Sequence, residues 1–163
     1  MTDWANRILG HGEESPENLL ANPANWRIHS KTQQDALGTV LEQVGLVQSV
    51  IVNQRSGFVV DGHLRIALAM RSGQKTIPVT YVDLSADEEA IVLASLDSIT
   101  AMAVPDVDKL AELVQSVETE DESILAMLAA VTESDKMPPV EDAMPASEPR
   151  TTTCPECGAQ FEP

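Results

Sequence analysis

The most informative stretch of the chain is residues 58–69, which read FVVDGHLRIALA. An apolar strand runs into Gly62, and a helical segment follows at once. Gly62 permits the tight turn because it has no Cβ to clash at positive φ. The first N–H groups of the helix have no intrahelical partner and lie at the positive end of its dipole, so the turn favours anions, above all phosphates. His63 and Arg65 add donors. A turn with a purely structural role is the alternative.

The flanking sequence predicts a small α+β domain, a mixed sheet flanked by helices. Apolar residues recur at helical spacing before Gly45, which is a natural helix stop. Short β-rich runs alternate with these helical segments. The predicted elements are helices over residues 34–44, 63–71 and 87–99 and strands over residues 47–53, 58–60 and 76–82.

The C-terminal part of the chain is organised differently. Two amphipathic helices follow residue 105, and they either complete the core or form a dimer surface. A proline-rich, acidic stretch without periodicity then predicts a disordered linker. The predicted units are a flexible arm (1–13), the α+β domain (14–104), a C-terminal helical extension (105–132), the linker (133–152) and a tail (153–163).

The net charge of −16 is concentrated in one half of the chain. Residues 1–82 carry 7 acidic and 7 basic side chains, whereas residues 83–163 carry 19 acidic and 3 basic. Phosphate contacts supply most non-specific DNA affinity, and an acidic surface repels phosphates. We therefore expect DNA binding to be weak or indirect. The acidic half is expected to recruit protein partners, or else only to keep the protein soluble.

The sequence predicts a cytoplasmic protein that does not contact membranes. No apolar run approaches the ~20 residues that span a bilayer, and the N-terminus does not resemble a signal peptide. The two cysteines, Cys154 and Cys157, are too few for a disulfide framework.

Cys154 and Cys157 match one knuckle of a zinc ribbon, CPECG. Structural zinc normally has four ligands, so the site would be closed by a second chain, by a partner or by His11. A homodimer holding one Zn²⁺ is therefore one hypothesis. An inert tail and a redox dithiol are the alternatives.

Several further segments match a known family in order and spacing. They are residues 22–29 (NPANWRIH), 41–45 (LEQVG), 50–53 (VIVN), 77–79 (IPV), 82–85 (VDLS) and 93–97 (LASLD). Together with residues 58–69 they resemble the N-terminal domain of ParB-type proteins, which shares its fold with sulfiredoxin. The resemblance covers roughly residues 14–130 and is closer to a branch carrying DGHLR, found in phages and mobile elements alone or fused to DNA methyltransferases.

The resemblance implies a nucleotide site. In ParB-type domains an upstream arginine, a glycine box and a later acidic box surround a nucleoside triphosphate. These map here onto Arg27, with His29 beside it, onto Gly62, His63 and Arg65, and onto Asp97. The implied ligand is CTP or ATP. Asp97 would either hold Mg²⁺ or orient a water. Asp61 and Asp97 are the candidate catalytic carboxylates.

The chain also departs from the family pattern. The box Gly-Glu-Arg-Arg reads Gly62-His63-Leu64-Arg65 here, and the later Glu-Asn reads Asp97-Ser98. These departures argue against CTP hydrolysis. Sulfiredoxin carries a cysteine in its box, and this chain has none before residue 154, which argues against sulfinic-acid reduction.

Three classes of function follow. The first is a ParB-like nucleotide- or phosphate-binding accessory module of phage or mobile-element DNA metabolism, serving partition, modification or processing. The second is an enzyme of the same fold, a nucleotide hydrolase, small-molecule phosphotransferase or Mg²⁺-dependent nuclease. The third is an interaction protein with a degenerate pocket, in which Arg27 and Asp97 only form ion pairs, His29 and His63 are structural and Asp61 caps a helix. The helices after residue 105 do not resemble the DNA-reading domain of ParB, so partition-site binding ranks low.

Overall fold

A four-stranded mixed sheet forms the centre of the structure, a computed structural model that describes residues 3–133, 152–153 and 160–161. The strands lie in the order β1-β4-β2-β3. Strand β4 pairs antiparallel with β1 and parallel with β2, and β2 pairs antiparallel with β3. Their bounds are β1 Ile8–Glu14, β2 Val50–Asn53, β3 Val59–Asp61 and β4 Ile77–Val82.

Within the described residues five helices accompany the sheet, and the predicted α+β class is confirmed. They are α1 Lys31–Gln43, α2 His63–Arg71, α3 Ala86–Thr100, α4 Val107–Gln115 and α5 Glu122–Glu133, with a short 3-10 turn at Pro16–Asn18. Two further strands, β5 Thr152–Thr153 and β6 Gln160–Phe161, pair with each other antiparallel. None of the described helices is both long and apolar enough to cross a bilayer.

Local sequence signals set the ends of α1 and the start of α3, the helix ends nearest the candidate functional site. Ser30 begins α1 by accepting a hydrogen bond from the Gln33 N–H at 3.2 Å. Gly45, at φ +90°, follows the end of that helix. Ser85 and Glu88 form a capping box at the start of α3, in which each side chain bonds the other residue's backbone N–H.

The core is aliphatic on both faces of the sheet, as the 3% aromatic content requires. One cluster packs α2 against the sheet, and the other packs α3 against it. The first contains Val50, Val52, Val59, Ile66, Ala69, Ile77 and Val79, and the second contains Val60, Val82, Leu84 and Leu93. These two layers hold the turn between β3 and α2 in place.

Strand β1 contains residues 8–13 of the predicted flexible arm, and that prediction is wrong for these residues. Ile8–Glu14 forms the edge of the sheet and pairs with β4 along its length. Gly12 leaves room for the Tyr81 ring, whose Cε2 lies 3.2 Å from where a Cβ would be. The Tyr81 hydroxyl donates to Glu14 Oε1 at 2.6 Å. The two glycines of β1 obscure its strand pattern in the sequence.

The C-terminal helices occupy different environments. Helix α5 packs against α1, and its Ile124 is buried. Helix α4 packs against α5, but none of its residues is buried. The prediction that these helices complete the core therefore fits α5 better than α4. Almost all of the predicted linker, as well as Cys154 and Cys157, lies outside the described residues.

Candidate functional site

An open pocket of about 210 Å³ lies at the N-terminus of α2. Its lining includes every residue proposed for the nucleotide site: Arg27, His29, Asp61, Gly62, His63, Arg65 and Asp97. A larger hollow of about 430 Å³ lies between α1 and α2, but of these residues only Arg65 reaches it. Within the described residues, the candidate nucleotide-site side chains therefore meet at the smaller pocket.

Gly62 is required by the geometry of the turn. Its φ is +99°, in the left-handed region that favours glycine. A Cβ at this position would lie 2.9 Å from Val50 Cγ2 and 3.2 Å from Val50 Cα. Because Gly62 has no side chain to cap α2, the first N–H groups of that helix remain available to a ligand.

Arg65 is held by three acceptors at the edge of the pocket. Its Nη2 donates to Asp61 Oδ2 at 2.7 Å and to the Ser49 carbonyl at 3.4 Å, and its Nη1 donates to Gln48 Oε1 at 3.0 Å. Asp61 thus forms an i,i+4 ion pair instead of capping α2. Both side chains are largely buried, so the guanidinium has a fixed position.

Arg27 reaches the pocket from the extended segment before α1. Its Nε lies 2.5 Å from Asp97 Oδ2, although the N–H does not point along a hydrogen bond. The guanidinium also lies 5.5 Å from the centre of the Trp26 ring, a cation–π contact. Trp26 in turn donates its Nε1–H to the Leu93 carbonyl at 3.1 Å, which ties this segment to α3.

The surroundings of His63 favour the neutral form of its ring. Burial is the main cause that lowers its pKa, and the positive charge of Arg27 adds to this effect. Its Nε2 accepts a hydrogen bond from the Asn22 backbone N–H at 3.2 Å. His29 makes a different contact, since its Nδ1 bonds Gln33 Oε1 at 3.1 Å.

A buried carboxylate behind the pocket was not predicted from the sequence. Glu89 accepts from Asn22 Nδ2 at 2.8 Å, from Asn53 Nδ2 at 2.5 Å and from Ser56 Oγ at 2.5 Å. Burial raises its pKa, but these three hydrogen bonds together outweigh burial and lower it. The available signal was its position, four residues before the buried Leu93 on the same face of α3.

The architecture is similar to that of solved ParB structures. One is the C-terminally truncated ParB from Caulobacter crescentus, complexed with CTP-γ-S, at 23% identity and a TM-score of 0.52 over 65% of this chain and 60% of that ParB.

The chain has a ParB-like fold.

At this level of identity the likeness establishes the fold alone, and the chain covers about three fifths of that ParB.

Two structures of a pNOB8-like ParB N-domain are also similar to the ParB-like fold of this chain. Their identity is 14% in both cases, with TM-scores of 0.49 and 0.47. The alignments cover 97% and 99% of this chain and 59% and 56% of those chains. No protein-family model and no curated protein sequence matches the chain.

Proposed function

We propose that the chain is a nucleotide- or phosphate-binding module of DNA metabolism in a phage or mobile-element setting. The observation that carries this proposal is a single pocket that combines two arginines, a neutral histidine and the uncapped N-terminus of α2. Backbone N–H groups at a helix N-terminus suit phosphate, and guanidinium groups contact it through paired donors.

The proposed ligand competes with carboxylates that are already in the pocket. Arg27 pairs with Asp97 and Arg65 with Asp61, so the formal charges of the four side chains cancel. Asp97 is about half exposed and is the easier carboxylate to displace, whereas Asp61 is largely buried. Phosphate is therefore expected to take the place of Asp97 beside Arg27 and to contact Arg65 as well, whose ion pair with Asp61 stays intact.

CTP and ATP are the first ligands to test, since the similar Caulobacter ParB was crystallised with CTP-γ-S. A triphosphate entering a pocket with no net charge is expected to bind better with Mg²⁺. Among the described residues, no cluster of three or more His, Cys, Asp or Glu side chains is arranged to hold a metal. Asp97 would instead share the ion with phosphate oxygens, the arrangement that Mg²⁺ commonly adopts.

The proposal is tested by titrating CTP, ATP and GTP, each with and without Mg²⁺. Arg27→Ala and Arg65→Ala should each weaken binding roughly ten- to hundredfold, the effect of losing a hydrogen bond to a charged group. Arg65→Lys should restore only part of the affinity, because an ammonium cannot reproduce the fork.

Arg55→Ala is the matched control, because it breaks an arginine–aspartate pair, with Asp83, outside the pocket. Its nucleotide affinity should equal that of the wild type. Unchanged affinity in folded Arg27→Ala and Arg65→Ala proteins would exclude the pocket as the binding site.

An enzyme of the same fold, a phosphotransferase or Mg²⁺-dependent nuclease, is the second candidate function. The observation in its favour is the half-exposed carboxylate of Asp97 in the same pocket as Arg27. Such a carboxylate could accept a proton from an attacking hydroxyl or water. Release of phosphate from nucleotide, or cleavage of DNA, that is lost in Asp97→Asn would support this function, and no turnover by the wild type would exclude it.

Partners are proposed from the charge distribution. The acidic half is suited to binding proteins, and the purified chain should bind duplex DNA no more tightly than the non-specific range of roughly 10⁻⁴–10⁻⁶ M. A fluorescence-anisotropy titration across salt concentrations measures this affinity. Tight, sequence-specific binding at physiological salt would contradict the proposal.

A further inference from the structure

The buried carboxylate of Glu89 is connected to the pocket through one residue. Asn22 donates its side-chain N–H to Glu89 Oε1 at 2.8 Å and its backbone N–H to His63 Nε2 at 3.2 Å. Asn22 and Glu89 are both more than nine-tenths buried. The position of the Asn22 backbone is thus fixed from behind the pocket, while His63 lines the pocket itself.

This contact determines which ring nitrogen of His63 carries the proton. A nitrogen that accepts an N–H bond has its lone pair in use, so Nε2 is unprotonated and the proton of the neutral ring is on Nδ1. Within the described residues, no hydrogen-bond partner is found for Nδ1. His63 consequently keeps one N–H donor free at the N-terminus of α2.

The choice of tautomer matters for an anion. In the Nδ1–H form, the acceptor lone pair of the ring is occupied by Asn22 and the free nitrogen is a donor. In the opposite form, the free nitrogen would present a lone pair to the ligand, and the Asn22 N–H would lose its acceptor. A buried donor without a partner is costly, so the Asn22 contact opposes that form.

We propose that Glu89 is a positioning residue which, through Asn22, holds His63 in the Nδ1–H tautomer as a hydrogen-bond donor for the pocket. The benefit of this tautomer to a ligand rests on the proposed phosphate-binding function. The hydrogen bonds that select the tautomer do not depend on that function. Glu89 itself does not line the pocket. Its role is carried by the two hydrogen bonds of Asn22.

Three variants test the connection. Asn22→Ala removes the side chain between Glu89 and His63 and leaves Glu89 bonded to Asn53 and Ser56. Glu89→Gln replaces one carboxylate oxygen with an NH₂ group, so at least one side chain that donates to Glu89 then faces another donor. Asp87→Asn is the matched control, the same change of carboxylate to amide at an exposed position two residues away on α3.

The readout is the tautomer of His63 in long-range ¹H–¹⁵N correlation spectra at neutral pH, recorded without ligand. His11 and His29 serve as internal references, since the chain has 3 histidines. We expect protonated Nδ1 in the wild type and in Asp87→Asn, and a mixture of tautomers in Asn22→Ala and Glu89→Gln. Affinity for inorganic triphosphate, measured on the same proteins, should fall roughly tenfold in the latter two.

Protonated Nε2 in the wild type would overturn the proposal, as would an unchanged tautomer in the folded Asn22→Ala and Glu89→Gln proteins. The tautomer measurement separates this proposal from the proposed function. If the tautomer responds but triphosphate does not bind the wild type, the positioning role of Glu89 is supported and the phosphate-binding function fails. If triphosphate binds but the tautomer never changes, the positioning role is excluded and the function stands.

Discussion

The turn before α2 tolerates no side chain at position 62, which is occupied by Gly62. Gly62→Ala is expected to combine the penalty of positive φ with a clash against Val50. The matched control is Gly57→Ala, because Gly57 has φ +75° but nothing within 4 Å of its added Cβ. We expect Gly62→Ala to lose about 1–3 kcal/mol more unfolding free energy than Gly57→Ala, the usual cost of overpacking. Urea denaturation of both variants measures the difference, and equal losses would contradict it.

Glu89 should make the stability of the domain sensitive to acid. Burial raises its pKa, but the hydrogen bonds from Ser56, Asn53 and Asn22 lower it below the ordinary 4.5 of the unfolded chain. The contribution of the charged carboxylate is therefore present above about pH 4.5 and is lost as pH falls through the folded-state pKa. The stability gap between the wild type and Glu89→Gln should narrow below pH 4.5 in urea titrations. A gap that stays constant or widens there would be the opposite result.

At the level of residues, the sequence could predict those whose role follows from local chemistry. A glycine between a strand and a helix, with arginine three residues later, already indicates an anion-binding turn, and the structure brings Arg27 and Asp97 to the same pocket. Glu89 could not be recognised in this way. Its spacing from Leu93 places it on the buried face of α3, but the loops that carry its donors Asn22 and Ser56 reach it only in the folded chain.

Helix α5 is the element whose packing can be tested most directly. Ile124 is 6% exposed and Leu125 is 47% exposed, although they are adjacent on one helix. Ile124→Ala should cost about 2–5 kcal/mol of unfolding free energy, as truncations of buried aliphatic residues do. Leu125→Ala should cost much less because it leaves a smaller cavity. Chemical denaturation measures both losses. A loss in Ile124→Ala as small as that in Leu125→Ala would show that α5 is not part of the core.

The elements differ in how far the sequence determines them. Helices α1 and α3 were predicted to within a few residues because caps such as Ser85 act over one turn. Strand β1 was missed because its partner β4 is distant in the sequence and its two glycines weaken the strand pattern. Helix α4 was predicted correctly as an amphipathic helix, but the sequence could not show that none of its residues is buried.

At the level of the whole molecule, the tail offers a test of assembly. Strands β5 and β6 pair with each other, and Cys154 and Cys157 lie between them in the sequence. We propose that two chains share one zinc ion through four thiolates. Metal analysis should then give about one Zn²⁺ per two chains, and Cys157→Ser should abolish metal binding and leave the main domain folded.

The alternative zinc ligand considered from the sequence is His11. It lies on β1, and its Nδ1 bonds Thr80 Oγ1 at 3.0 Å. A metal-free monomer purified under reducing conditions would exclude the shared site. One Zn²⁺ per chain would instead indicate that ligands from the same chain complete it.

The strand order also has a consequence for how the protein is made. Strand β4 joins β1 to the hairpin of β2 and β3, so the sheet has no continuous form without it. During translation β1 leaves the ribosome first and its partner much later. The early strand must wait unpaired while β2 and β3, which are close in sequence, can already associate. Closure of long loops slows folding, so the synthesis of residues 77–82 sets the earliest moment at which the nascent chain can pair its first strand.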